Sequence, residues 1–345
     1  MTPSFAHFAQ PLTTFLACSL SLLPVLAFLL GLQFVDTYKL VTLRRVLRST
    51  AVGCGVAGVC YLLNSAVSLR VGTEIWSRTG APLVEEVAKA LYILWLIRAN
   101  RIGFMVDAAI CGFAVGTGFA IVENIFYLFH LSGLVLLTYA VRGFGTAIMH
   151  GGSTAIFGIV SRNRAEIRRS ENVAVFLPGL AIAIVIHLLY NQPTLPPTVS
   201  AGLVILLLPP MLWFVFWRSE GALEQWLGTK LDKDIEIVQM IATDTFSSSP
   251  AGSYLRSLES TFPRQILADM LCYLQLSAEL SARSKGDLLR RERGFPVEPD
   301  PELLAQLKEL NFLESRIGRA GKLALAPLIG ASHLETWELH KLAES

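Results

Sequence analysis

The chain is short of charge. Asp, Glu, Lys and Arg make up 16% of its 345 residues, where a soluble domain carries roughly 25%. Hydrophobic residues fill 53% of positions and the mean hydropathy is +0.52, a balance that excludes an ordinary soluble domain and puts the chain in the membrane class. The charges that are present nearly cancel, 29 basic against 27 acidic. No overall field favours nucleic acid, and no nucleic-acid partner is expected. Cysteine pairs are missing as well: Cys18, Cys54, Cys60 and Cys111 lie in apolar runs and Cys272 in a polar tail, without CxxC spacing. That pattern predicts neither a disulfide nor a cysteine metal site. A repeat of fixed period and a long low-complexity tract are also absent. No Lys or Arg precedes the first apolar run, which begins near Leu12 and exceeds a signal-peptide core. It reads as a retained first span.

What is there is a series of long apolar runs. About 20 mainly apolar residues cross a bilayer as a helix, and seven stretches reach or approach that length, near 12–34, 49–69, 81–98, 104–129, 134–160, 174–190 and 199–217. The predicted fold class is all-α, a polytopic transmembrane bundle of about seven spans over residues 1–217. After Trp217 the composition turns polar, and periodic segments alternate with breakers such as 247–252 and 295–301. Residues 218–345 read as a helical cytosolic domain of unassigned role, with a cytosolic partner as one use for it.

Loop charges orient the bundle, because Lys and Arg near span ends stay on the cytoplasmic side. Ten basic residues group on one side: Lys39, Arg44, Arg45, Arg48, Arg98, Arg101, Arg162, Arg164, Arg168 and Arg169. Only Arg70 and Arg78, in a loop expected near 70–80, fall on the other, and the turn near 130–133 and the loop 191–200 carry none. The amino terminus is therefore expected outside and the tail in the cytosol.

Within the spans sit ionisable side chains, each costing on the order of 3 kcal/mol at a helix centre if left unpaired. The third span opens Ala81-Pro82-Leu83-Val84-Glu85-Glu86-Val87-Ala88-Lys89, with Lys89 one turn from both carboxylates and thus able to hold one of them charged. The fourth carries Phe119 and Glu123 four apart, then Asn124, after Gly112, Gly116 and Gly118, small residues that let a neighbouring helix approach. The fifth aligns Arg142, His150 and Thr154 at spacings of eight and four, and the sixth ends His187-Leu188-Leu189-Tyr190-Asn191. A lone Glu or His in a span is often a structural hydrogen-bonding group, and Arg142 near a boundary is able simply to snorkel. Four aligned sets at matching depth argue instead for one polar pocket. On physics alone that pocket serves catalysis, or a proton-coupled transporter or membrane sensor, and a scaffold cemented by polar contacts is the third reading.

The order Glu85-Glu86-x-x-Lys89, Phe119-x-x-x-Glu123-Asn124, His150, His187-x-x-x-Asn191 resembles the PrsW family of intramembrane proteases, distantly similar to the CPBP group that includes the prenyl-protein (CAAX) proteases. Lys89 and Glu123 stand where that wider group more often has Arg and His, which favours PrsW. The resemblance implies an enzyme in a bacterial cytoplasmic membrane that hydrolyses a peptide bond of a membrane-anchored protein, such as an anti-sigma factor. Glu85, Glu86, Glu123, His150, His187 and Asn191 are then the expected catalytic residues, and Lys89, Phe119, Asn124, Arg142 and Thr154 support them. Glu85 would be the base on water, His150 would orient that water, and His187 with Asn191 would donate to the oxyanion. Zinc held by His150, His187 and Glu123 is the rival form of the same chemistry. The tail has no counterpart in the family pattern.

Overall fold

The computed structural model describes residues 4–130, 135–297, 300–329 and 333–342, so the turn expected near 130–133 lies largely outside the described residues. Among them there is helix and no strand. The helices are α1 (Ser4–Val35), α2 (Leu43–Val71), α3 (Thr73–Arg98), α4 (Met105–His130), α5 (Leu136–Val141), α6 (Ala147–Arg168), α7 (Val173–Tyr190), α8 (Pro197–Ala242), α9 (Pro250–Ser257), α10 (Arg264–Glu292), α11 (Leu303–Ile329) and α12 (His333–Leu342). A π-helical turn, Arg142–Thr146, joins α5 to α6.

Among the described residues five segments are long and apolar enough to cross a membrane: Thr13–Val35, α2, α4, α7 and α8. α3 stands apart because it carries Glu74, Arg78, Glu85, Glu86, Lys89 and Arg98, and the fifth expected span is divided by the π-turn. The chain is an integral membrane protein with an all-α bundle.

Two boundaries differ from expectation. No loop separates 70 from 80: α2 runs to Val71, α3 begins at Thr73, and Gly72 alone turns the chain with φ 101°, a conformation that a Cβ disfavours. Residues 73–80 join α3 because they contain no proline and one glycine at the far end, Gly80, and the Glu74–Arg78 pair at 2.8 Å, four residues apart, supports the first turns. Glu85 consequently lies midway along α3, and Pro82 is inside the helix. Arg44, Arg45 and Arg48 are likewise on the first turns of α2, which starts at a Thr42 cap whose side chain accepts from the Arg45 N–H.

By contacts the chain divides into two compact units, Met1–Ser219 and Glu220–Ser345, and α8 continues through that division. The first is organised around α4, buried almost without interruption from Val106 to Ala120. α2 and α6 reach its backbone through glycines: a Cβ on Gly118 would overlap the Thr50 carbonyl, and one on Gly116 the His150 carbonyl. The close α4–α6 approach sets His150 against α4. The second unit has its own core, in which Met270, Tyr273 and Leu274 of α10 pack with Leu310, Leu313 and Ile317 of α11.

Candidate active site

A cavity of about 590 Å³ opens among α2, α3, α4, α6 and α7, and its wall includes Glu85, Glu123, Arg142, His150, His187 and Asn191. Four expected polar faces thus meet at one place. Their hydrogen bonds assign each group a different position in the site.

Glu86 does not line the cavity. It is 2% exposed and collects donors: Lys89 Nζ at 2.5 Å and His187 Nδ1 at 2.8 Å on Oε1, and the Ser153 hydroxyl at 3.2 Å. A buried carboxylate that accepts from a cation and two neutral donors is fully satisfied. Lys89 therefore partners Glu86, and Glu85 is left to the cavity. Because a carboxylate accepts, His187 donates through Nδ1, and its Nε2 faces Glu85 Oε2 at 3.9 Å.

His150 is committed on both ring nitrogens. Nδ1 lies 3.1 Å from Lys89 Nζ, and an ammonium only donates, so Nδ1 accepts. Nε2 then carries the proton and donates to Glu123 Oε2 at 3.0 Å. Phe119 covers this layer, its ring 4.9 Å from both the Lys89 ammonium and the His150 ring centroid. Glu123 Oε1 faces Arg142 Nη2 at 3.2 Å. The guanidinium is fixed by the Asn124 carbonyl on Nε at 3.0 Å and by the Tyr127 ring, 3.6 Å from Cζ. Asn124 is itself anchored by donating to the Ser21 carbonyl of α1 at 2.8 Å. The π-turn begins at Arg142, and such turns often re-aim a side chain at a functional site.

Two expected residues stand differently. Thr154 bonds back to the His150 carbonyl of its own helix at 3.0 Å and does not reach the cavity. Asn191 lines the cavity, but its amide donates to the Ser77 carbonyl at 3.2 Å while its backbone N–H closes the end of α7 on the His187 carbonyl. Sequence reasoning passed over Ser153, Asn64, Trp76 and Tyr127. A carboxamide directly after the apolar stretch 51–63 of α2 was the available signal for Asn64.

Three ligand atoms, one each from Glu85, His150 and His187, lie within 4.8 Å of one another. Two imidazoles and a carboxylate beside a water-sized space are a donor set that suits a divalent metal such as zinc. This grouping contains Glu85, whereas Glu123, the carboxylate of the expected zinc set, accepts from His150 and pairs with Arg142.

A cavity lined by carboxylates and imidazoles inside a membrane bundle fits the class of membrane-embedded hydrolases. The model of the PrsW family intramembrane metalloprotease matches residues 42–217, just over half of the chain, and the protein belongs to that family. No curated protein and no solved structure gives a match.

Proposed function

We infer that the protein is an intramembrane endopeptidase that cleaves a membrane-anchored protein, with Glu85 as the base on water. The observation that carries this reading is the pair Glu85 Oε2 and His187 Nε2, 3.9 Å apart on the wall of the cavity, while Oε1 and Nδ1 are tied back to Asn64 and Glu86. One water is able to donate to both with hydrogen bonds of ordinary length. In the reaction its oxygen bonds to the scissile carbonyl carbon as a proton passes to Glu85. The C–N bond then breaks, and the same proton leaves Glu85 for the amine nitrogen. Arg142, held beside the cavity by Asn124 and Tyr127, is the cation suited to bind the carbonyl oxygen as charge develops.

A metal held by Glu85, His150 and His187 would polarise water or carbonyl and make the water a stronger nucleophile at neutral pH. His150 already touches the acceptor, Glu123 Oε2, that would take its Nε2 proton and free that nitrogen. The basic bias supports an amino terminus outside and a cytosolic 218–345 domain open to a partner, and the depth of the site then puts cleavage toward the outer leaflet; the family resemblance suggests a bacterial cytoplasmic membrane. An anti-sigma factor or similar signalling protein is the proposed substrate. The test is cleavage by reconstituted enzyme: Glu85→Gln and His187→Ala are each expected to abolish it, and full activity in both overturns the reading.

A further inference from the structure

Glu85 is the group the proposed chemistry depends on, and it has three rotatable bonds in a cavity wide enough for alternatives. Something must select its orientation. One oxygen, Oε1, accepts from the Asn64 amide at 2.9 Å. Asn64 is in turn held from its other end, where the Trp76 indole N–H donates to Oδ1 at 3.1 Å. The indole nitrogen only donates, so it fixes which end of the carboxamide faces it. Reversed, the amide would set N–H against N–H at the indole and oxygen against oxygen at Glu85.

The chain supplies this arrangement with two glycines. Gly72 turns α2 directly into α3, which brings position 76 back beside position 64. Gly80, one turn after Trp76, lets the indole lie flat: a Cβ there would overlap ring carbons of Trp76. Asn64, Trp76 and Glu85 all line the cavity, so the carboxamide is not merely closing a gap in the core.

We propose that Asn64, oriented by Trp76, is a positioning residue that turns Glu85 Oε2 toward His187. The inference rests on Glu85 acting as the base. Trp76 acts through Asn64 and not on the substrate, and Gly80 acts through Trp76. A misplaced catalytic group loses rate without losing substrate binding, so kcat falls and KM stays.

The test is a double-mutant cycle on the reconstituted full-length enzyme with a membrane-anchored substrate. Asn64→Ala is expected to lower kcat by roughly 10- to 100-fold, the range of a lost hydrogen bond to a charged group. Trp76→Phe keeps ring bulk and removes the donor, and should lower kcat by roughly 5- to 10-fold with KM unchanged. In the Asn64→Ala background Trp76→Phe should have no further effect. Gly80→Ala, which inside a helix ordinarily favours folding, should reduce kcat while leaving the thermal midpoint unchanged or higher. A second readout needs no turnover: the infrared carboxylate band that Glu85→Gln removes should shift in Asn64→Ala and in Trp76→Phe. Wild-type kcat in Trp76→Phe, additive losses in the double variant, or an unmoved Glu85 band overturns the proposal while Glu85→Gln remains inactive. Full cleavage by Glu85→Gln overturns the functional reading and this inference together.

Discussion

Two lysine–carboxylate clusters are buried among the described residues, and they are built for opposite ends. In the first unit, Lys89 and Glu86 are satisfied and closed off, yet they brace His187 and His150, which with Glu85 reach a cavity of about 590 Å³. In the second unit, Lys285 of α10 contacts Asp234 of α8 at 2.7 Å and Glu338 of α12 at 2.9 Å. Ser281, one turn before Lys285, bonds both carboxylates, Asp234 at 2.7 Å and Glu338 at 2.5 Å. The small cavity against Ser284 and Lys341 holds about 10 Å³, at the lower limit for one ordered water, and Lys285, Asp234 and Glu338 do not line it. Burial of charge alone therefore does not mark a site. An unspent lone pair facing a water-accessible space does.

The largest effect should come from removing that lone pair. Glu85→Gln and His187→Ala are each expected to reduce cleavage by roughly a thousandfold or more, Glu85→Gln with little change in thermal midpoint. Equal loss of stability would erase the contrast with the second cluster. Lys285→Ala should do the reverse. It strands Asp234 and Glu338 without their cation, at about 3–5 kcal/mol, read as a lower denaturation midpoint of the second unit in detergent. A joint replacement of Lys285, Asp234 and Glu338 by apolar residues of similar volume should recover most of that loss, whereas the same treatment of Glu86, Lys89 and His187 should leave cleavage abolished.

A smaller effect separates the clusters by pH. The single Ser281 hydrogen cannot serve two ionised carboxylates, and burial pushes the Glu338 carboxyl up from 4.5 to about 7, with Lys285 opposing the rise. Its folded pKa thus lies above the unfolded one, so the folded state holds the proton more tightly. The contribution to stability is full below about pH 4.5 and is lost as pH rises through about 7. Glu338→Gln, which stays neutral, should flatten that slope. Denaturation midpoints of wild type and variant should diverge between about pH 5 and about pH 8, and parallel curves would refute the assignment. Smallest of all, Thr154→Val should leave cleavage within about twofold of wild type, since its hydroxyl only returns to its own helix.

Much of the architecture is readable locally. Apolar length and small-residue spacing predict the helices of the bundle, because those properties act within one helix or at one face of it. The misplaced start of α3 is equally instructive. The span was expected to open at 81, one residue before Pro82, but a helix nine residues in tolerates the proline, and the true stop is Gly72. The site residues were found by asking which ionisable groups a span would not carry idly, and the same question put to carboxamides would have reached Asn64.

By itself the sequence determined the membrane class, the helical fold and the order of motifs, since hydropathy, turn residues and helical spacing need no distant partner. It left open which of two adjacent carboxylates Lys89 would take, which ring nitrogen each histidine would present, and whether Glu85 or Glu123 would join them. Only the tertiary structure decided these. Glu85 and Glu86 are chemically identical neighbours on one helix, and they differ only in that one meets Lys89, His187 and Ser153 in a packed interior while the other meets Asn64 and open space.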